Sequence, residues 1–290
     1  MVWDYMENKF HAIRQKYKII FNATHLQITH YCPYSISTKW FYCILISGCS
    51  KCMKQFPRES TATGKTRGDF SGFNRDTWTP RDPAIHKQNA FRSKLAKTEA
   101  ERKVLEKTGA RWSQLFDLPY FDPINGHTID PMHCLFLGVA KHMTKMYIKS
   151  GIIDKHGLVK LQDSINSIRV PTAVGRIPNK IASGFCSFSA DQWKNWTLIY
   201  SSTALKHVLP VEHYRIWLKF VHATSILCRK IITQNDINLA DQLYLSFCKD
   251  VEQKYGKQLI TPNFHMLCHL AEVVRKYGPV YSFWCYSFER

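Results

Sequence analysis

A mixed α/β (α+β) fold dominated by helix is what this sequence predicts, and three observations predict it. Apolar residues recur at helical spacing through most of the chain after Pro131, while residues 127–130 and the VYSFWCYSF stretch from Val280 have strand character on either side of that tract. With 290 residues, 45% hydrophobic and 13% aromatic, the chain has the apolar surface for a large core, which sets aside disordered and collagen-like classes. The longest apolar run, residues 40–46, is far below the roughly 18 residues of a membrane helix, and the opening MVWDYMENKF has no signal-peptide pattern. A soluble, unsecreted protein with no membrane partner and no small-molecule substrate is expected.

Residues 1–47 are apolar and aromatic without a usable period and stay unassigned. Residues 57–83 carry Gly64, Gly68, Gly72, Pro80 and Pro83 among Ser, Thr and Asp, which reads as a long connection. Residues 84–107 read as one solvated basic helix bearing Lys87, Arg92, Lys94, Lys97, Arg102, Lys103 and Lys107. A turn-rich stretch then ends in the strand candidate at residues 127–130, and Pro131 opens a helix whose anchors include Met132, Leu135, Val139 and Met143. Asp130 therefore stands at a strand-to-helix junction. Beyond a Gly- and Pro-containing connection near residues 170–184, Ser189 with Gln192 forms a capping-box pattern. Further helices are expected over residues 211–232, over residues 237–255 closed by Gly256, and over residues 262–276 with Thr261 as N-cap. These elements divide the chain into residues 1–47, residues 48–150, a mainly helical tract over 151–276, and a return over 277–290.

The formal net charge is +18, split as +10 over residues 1–110 and +8 over the remainder, so a polyanionic partner is indicated along the whole chain. Ten cysteines in an unsecreted chain should be mostly reduced, and grouped ones more often bind metal than pair. Cys49 and Cys52 have the CxxC spacing that chelates one Zn²⁺, and His265 and His269 at i, i+4 share a helix face, so the two pairs could complete a tetrahedral Cys₂His₂ set. The bland reading of each pair, buried thiols and core histidines, is the commoner one when the pairs are taken singly. Asp130 and His133 suit a divalent-metal ligand with a polar neighbour, or an N-cap for the amides that follow. The stretch TGKT at residues 63–66 is not a phosphate loop, because that motif needs glycine where Glu59 stands. Trp193, Trp196 and Trp217, at helical spacing, read as core.

The landmarks GCSKCMKQFP (48–57), DFSGF (69–73), LFDLPYFDPINGHTIDPMHCLFLGVAKHM (115–143), NFHMLCHL (263–270) and WCYSFER (284–290), in this order, resemble the transposases of CACTA (En/Spm-type) DNA transposons. The resemblance implies an RNase H-like catalytic core interrupted by a large all-α insertion, with metal-dependent DNA strand cleavage and transfer as the family activity. It implies Asp130 as second catalytic acid, His133 as its accompanying histidine and Glu289 as third acid, the acids holding Mg²⁺ or Mn²⁺. Cys49, Cys52, His265 and His269 match positions expected to bind structural zinc. Transposon-end DNA, a further copy of the chain and a nuclear location follow as expected partners and place. The first acid should lie some tens of residues before the CxxC in an Asp-x-Pro-Ala-like context, yet only Asp4 and Glu7 precede Cys49. A chain incomplete at both ends and inactive alone is the expectation, with a non-catalytic, zinc-stapled DNA-binding relic as the alternative.

Overall fold

Polar caps decide where the helices begin in the computed structural model, which describes residues 49–60, 66–110, 112–169, 171, 174, 180–185 and 187–287. The chain divides into two units, Met1–Pro33 and Tyr34–Arg290, and every described residue belongs to the second. Asp82 accepts a hydrogen bond from the Ile85 amide at the start of α1 (Pro83–Leu95), which opens on the proline favoured there. Thr98 and Glu101 form a reciprocal capping box for α2 (Glu99–Glu106). The one basic helix expected over residues 84–107 is therefore two: Ala96 leaves the helical region at ψ 122° and Thr98 caps a fresh start.

Pro131 is followed by a π-helix, Met132–Ala140, that runs without a break into α3 (Lys141–Lys149). The N-cap Asp154 then starts α4 (Lys155–Ser167). The Ser189–Gln192 capping box opens α5 (Ala190–Asn195), which widens into a π turn over Trp196–Tyr200 before the short α6 (Ser201–Ala204). Two long helices follow, α7 (Val211–Leu227) and α8 (Gln234–Tyr255), the latter capped by Thr233 with Asp236 and ended by Gly256 at φ 83°. The helix expected over residues 262–276 is broken into α9 (Pro262–Leu267) and α10 (Leu270–Tyr277). Thr261 occupies the cap position of α9, but its hydroxyl makes no capping bond.

Among the described residues the only sheet is an antiparallel pair of strands, β1 (Arg58–Ser60) and β2 (Thr66–Gly68), in register Arg58↔Gly68. Neither predicted strand forms. Residues 127–130 have no ladder partner, and the segment from Val280 folds into 3₁₀ turns at Val280–Ser282 and Cys285–Ser287. The physical reason is where the backbone donors go. The Cys285 amide donates to the Asp130 carboxylate at 2.9 Å, and the Trp284 amide to the Val280 carbonyl at 3.1 Å. The described chain is thus rich in helix with one small sheet.

One continuous core runs from Cys49 to Val280 and includes the fully buried Trp193, Trp196 and Trp217, as their helical spacing predicts. Across the α7–α8 seam the Phe220 ring lies 5.3 Å from Phe247 and 6.2 Å from Tyr244, whose hydroxyl is 3.1 Å from that of Thr224. A second, smaller cluster of Ala90, Ala110 and Phe116 sits under α1. No helix among the described residues is long and apolar enough to cross a membrane.

Candidate metal centre

The knuckle at residues 49–52 is shaped before any metal is considered. The Cys49 amide donates to the Lys54 carbonyl at 2.9 Å, the Lys51 amide points at the Cys49 sulfur at 3.2 Å, and Cys52 bridges to Pro80. Two cations, the buried Arg81 and the half-buried Lys51, clamp it from outside. The Arg81 Nε donates to the carbonyls of Cys49 (2.7 Å) and Cys52 (3.0 Å), and the Lys51 Nζ to those of Ile124 (2.6 Å) and His127 (2.8 Å).

The histidines reach this knuckle from the α9–α10 break. Amides of Cys268 and His269 bond three residues back, to His265 and Met266, which tightens the turn. Arg75, bidentate on Asp241 of α8 at 2.6 and 2.7 Å, donates also to the Cys268 carbonyl at 2.5 Å and holds the break in place. His265 is walled by Trp78 and Phe56 at ring separations of 4.4 and 5.1 Å.

The result is one buried group of four donor atoms, from Cys49, Cys52, His265 and His269, with no two farther apart than 4.8 Å. Zinc bonds of about 2.3 Å to sulfur and 2.0–2.1 Å to nitrogen imply tetrahedral edges of about 3.5 Å for S–N and 3.3 Å for N–N. The Cys52 sulfur lies 3.5 Å from His265 Nε2, and the two Nε2 atoms are 3.3 Å apart. The edge between two sulfurs in such a tetrahedron is about 3.8 Å, so whichever pair is farthest apart closes by no more than about 1.3 Å. The residues fit a structural zinc ion, which they would hold as a closed four-ligand site with no position left for substrate.

Surrounding groups tune the donors. Glu272 accepts from His269 Nδ1 at 3.1 Å on either oxygen, which turns Nε2 toward the sulfurs, the carboxylate–histidine arrangement common behind metal ligands. The Cys52 thiol is depressed to about 2, chiefly by the Cys49 thiol and then by His265 and His269, against burial. Burial, joined by the Cys52 hydrogen bond and charge, pushes Cys49 up. Burial lowers His265 to about 4, whereas Cys52 and Glu272 overcome burial to raise His269 to about 9. Without metal, one thiolate faces one imidazolium, and loading the site releases the remaining protons.

Asp130 takes the capping role. Its Oδ1 accepts from the amides of Met132 (3.2 Å) and Cys285 (2.9 Å), and its Oδ2 from the His133 amide (3.0 Å) and the His133 ring nitrogen Nδ1. A carboxylate offers about four lone-pair directions, and these four contacts occupy them. Mg²⁺ or Mn²⁺ could bind Asp130 only after one contact is released. Glu289 lies outside the described residues, but Cys285, four residues earlier, is held on Asp130.

Of the seven expected DNA-binding cations, Arg92 and Lys94 of α1, Arg102 and Lys103 of α2, and the flanking Lys97 and Lys107 are exposed, and Lys87 is half-buried. Lys94 stacks 3.7 Å over the Trp112 ring. Three apolar side chains, Ile85, Leu95 and Val104, are exposed among them.

Sequence reasoning missed Arg81, Lys51, Trp78 and Glu272. Glu272, three residues after His269, is the only one whose spacing advertised it. The fold and site define a helix-rich chain with a candidate Cys₂His₂ metal centre. No family model, curated protein or solved structure matches the chain.

Proposed function

We propose that the chain is a transposase-type DNA-binding protein: a zinc-stapled region of CACTA-family descent, RNase H-like in origin, that binds transposon-end DNA in the nucleus and does not transfer strands by itself. The observation that carries this reading is the meeting of Cys49 and Cys52 with His265 and His269, the four residues the resemblance marks for zinc, across 213 residues of sequence. The net charge of +18 and the exposed cations of α1 and α2 supply the polyanion-binding surface. Asp130, the assigned second acid, has His133 beside it and holds the Cys285 amide. Two acids of the three hold a metal pair poorly, and Asp130 is committed to its caps, so strand transfer is assigned to the family and not to this chain alone.

Binding of terminal-repeat duplex measured across a salt series tests the reading. Seven phosphate contacts give a slope near −0.9 per contact, about −6 in log–log form, so affinity should fall about 10³–10⁴-fold between 50 and 200 mM salt. Neutralising the seven cations should flatten the slope. Salt-insensitive binding, or a slope unchanged in that variant, would sink the DNA-binding assignment. In the same preparations a Mn²⁺-dependent strand-transfer product lost in Asp130→Asn would show the chain to be an active transposase and overturn the claim of inactivity.

A further inference from the structure

A cleft of about 260 Å³ opens where the end of the π-helix and the start of α3 face the turn before α9. Its walls are Leu137, Gly138, Lys141, His142 and Lys145 on one side and Thr261 and Asn263 on the other. Lys141 and Lys145 stand one turn apart on α3, so both ammonium groups rise from the same face. Like charges at this spacing repel, no carboxylate lines the cleft, and neither lysine has an ion-pair partner among the described residues.

Across from them the Thr261 hydroxyl is buried with no hydrogen-bond partner, although its position would ordinarily turn it onto a helix amide. A buried hydroxyl left without a partner destabilises the fold unless something else satisfies it. His142 is already engaged, its Nε2 donating to the Leu259 carbonyl at 2.9 Å. Gly138 keeps the cleft narrow: a Cβ there would sit 2.5 Å from Asn263 Nδ2 and 2.6 Å from the His133 carbonyl, so only glycine admits the Asn263 amide at this wall. The walls thus present two cations, an amide and the apolar Leu137, with the buried Thr261 hydroxyl behind them and no carboxylate among the described residues that line the cleft.

We propose that this cleft binds a phosphate group, held by the ammonium groups of Lys141 and Lys145 and by a hydrogen bond from the Asn263 side-chain amide. A phosphate is negative and accepts hydrogen bonds on several oxygens at once, which matches a wall of donors. Binding makes and breaks no covalent bond. The site shares no residue with the basic helices α1 and α2, so it stands or falls separately from the DNA-binding reading. A free nucleotide phosphate and a phosphodiester of a DNA backbone present the same chemistry to it.

Calorimetric titration of the zinc-loaded full chain with inorganic phosphate, with dAMP and with a short DNA duplex tests the proposal. The pair Lys141→Gln and Lys145→Gln should weaken inorganic phosphate at least about tenfold, since each lost contact is charge-assisted. Asn263→Ala should weaken it several-fold, with circular dichroism showing each variant folded. If the lysine pair weakens the duplex as well, the natural ligand is a backbone phosphodiester; if it weakens only phosphate and dAMP, the ligand is a free phosphate ester. Phosphate affinity equal in wild type and the lysine variant, or no heat of binding in folded wild type, would overturn the proposal.

Discussion

Chelating the metal from this protein, or replacing Cys52 by Ser, should remove about 5 kcal/mol of stability at saturating zinc. The figure follows from the connectivity of the site. Zinc stabilises the folded chain by the ratio of its affinities for the folded and unfolded states. An unfolded chain still presents Cys49 beside Cys52 and His265 beside His269, but gathering all four donors requires closing a loop of 213 residues. The chain-entropy relation for a cross-link of that length gives about 5 kcal/mol, or roughly four orders of magnitude in affinity. In the folded chain the closure is already made by the core, by the Arg81 clamp on the knuckle and by the Arg75 hold on the α9–α10 break. A loss of this size is a large share of the 5–15 kcal/mol typical of a domain and would lower the melting temperature by about 10–20 °C. Urea unfolding with added zinc and with a chelator, alongside Cys52→Ser, measures it. A midpoint indifferent to zinc, or a zinc-dependent shift that survives in Cys52→Ser, would refute the four-ligand staple.

Three further outcomes are expected. Trp217→Ala removes a fully buried indole whose Nε1 donates to Ser201 at 2.9 Å, and should cost about 3–5 kcal/mol in a denaturant melt; a cost under about 1 kcal/mol would contradict its place in the core. Asp130→Ala leaves the amides of Met132, His133 and Cys285 without their acceptor and should cost about 2–3 kcal/mol, with faster hydrogen exchange at the Cys285 amide than in wild type; unchanged exchange would show the tail is held by other contacts. Burial, with Arg81 adding to it, lowers His86 to about 4 from an unfolded value near 6.5. As pH falls through 6.5 the unfolded chain takes up a proton that the folded chain refuses until about 4, so stability drops by about 3 kcal/mol across that window and is unaffected above it. The pH dependence of urea midpoints should be correspondingly shallower in His86→Gln, and identical profiles would remove His86 from the account.

Much of the helical framework was legible in the sequence because its signals are local. The capping pair Ser189 and Gln192, the stop at Gly256 and the start after Pro131 each depend on residues within a turn of one another. The same kind of signal, Thr98 with Glu101, stood in the sequence and marked the break between α1 and α2 that a purely compositional reading joined. The two strand expectations failed for the opposite reason. Extended, apolar residues become a strand only if another backbone lies alongside, and here Asp130 and the 3₁₀ turns take the donors instead.

The candidate zinc site divides along the same line. Two pairs of ligands at chelating spacings were visible as CxxC and as histidines four apart, since spacing within a pair is a property of the local chain. Their union, the walls of Trp78 and Phe56, the Arg81 clamp and the unpartnered Thr261 beside two lysines were not, because each joins residues tens to hundreds of positions apart. From the sequence alone come the residue chemistry, the charge and most helix starts. Only the tertiary structure decides which of those groups meet, because burial in a shared core, and not spacing along the chain, holds Cys52 3.5 Å from His265.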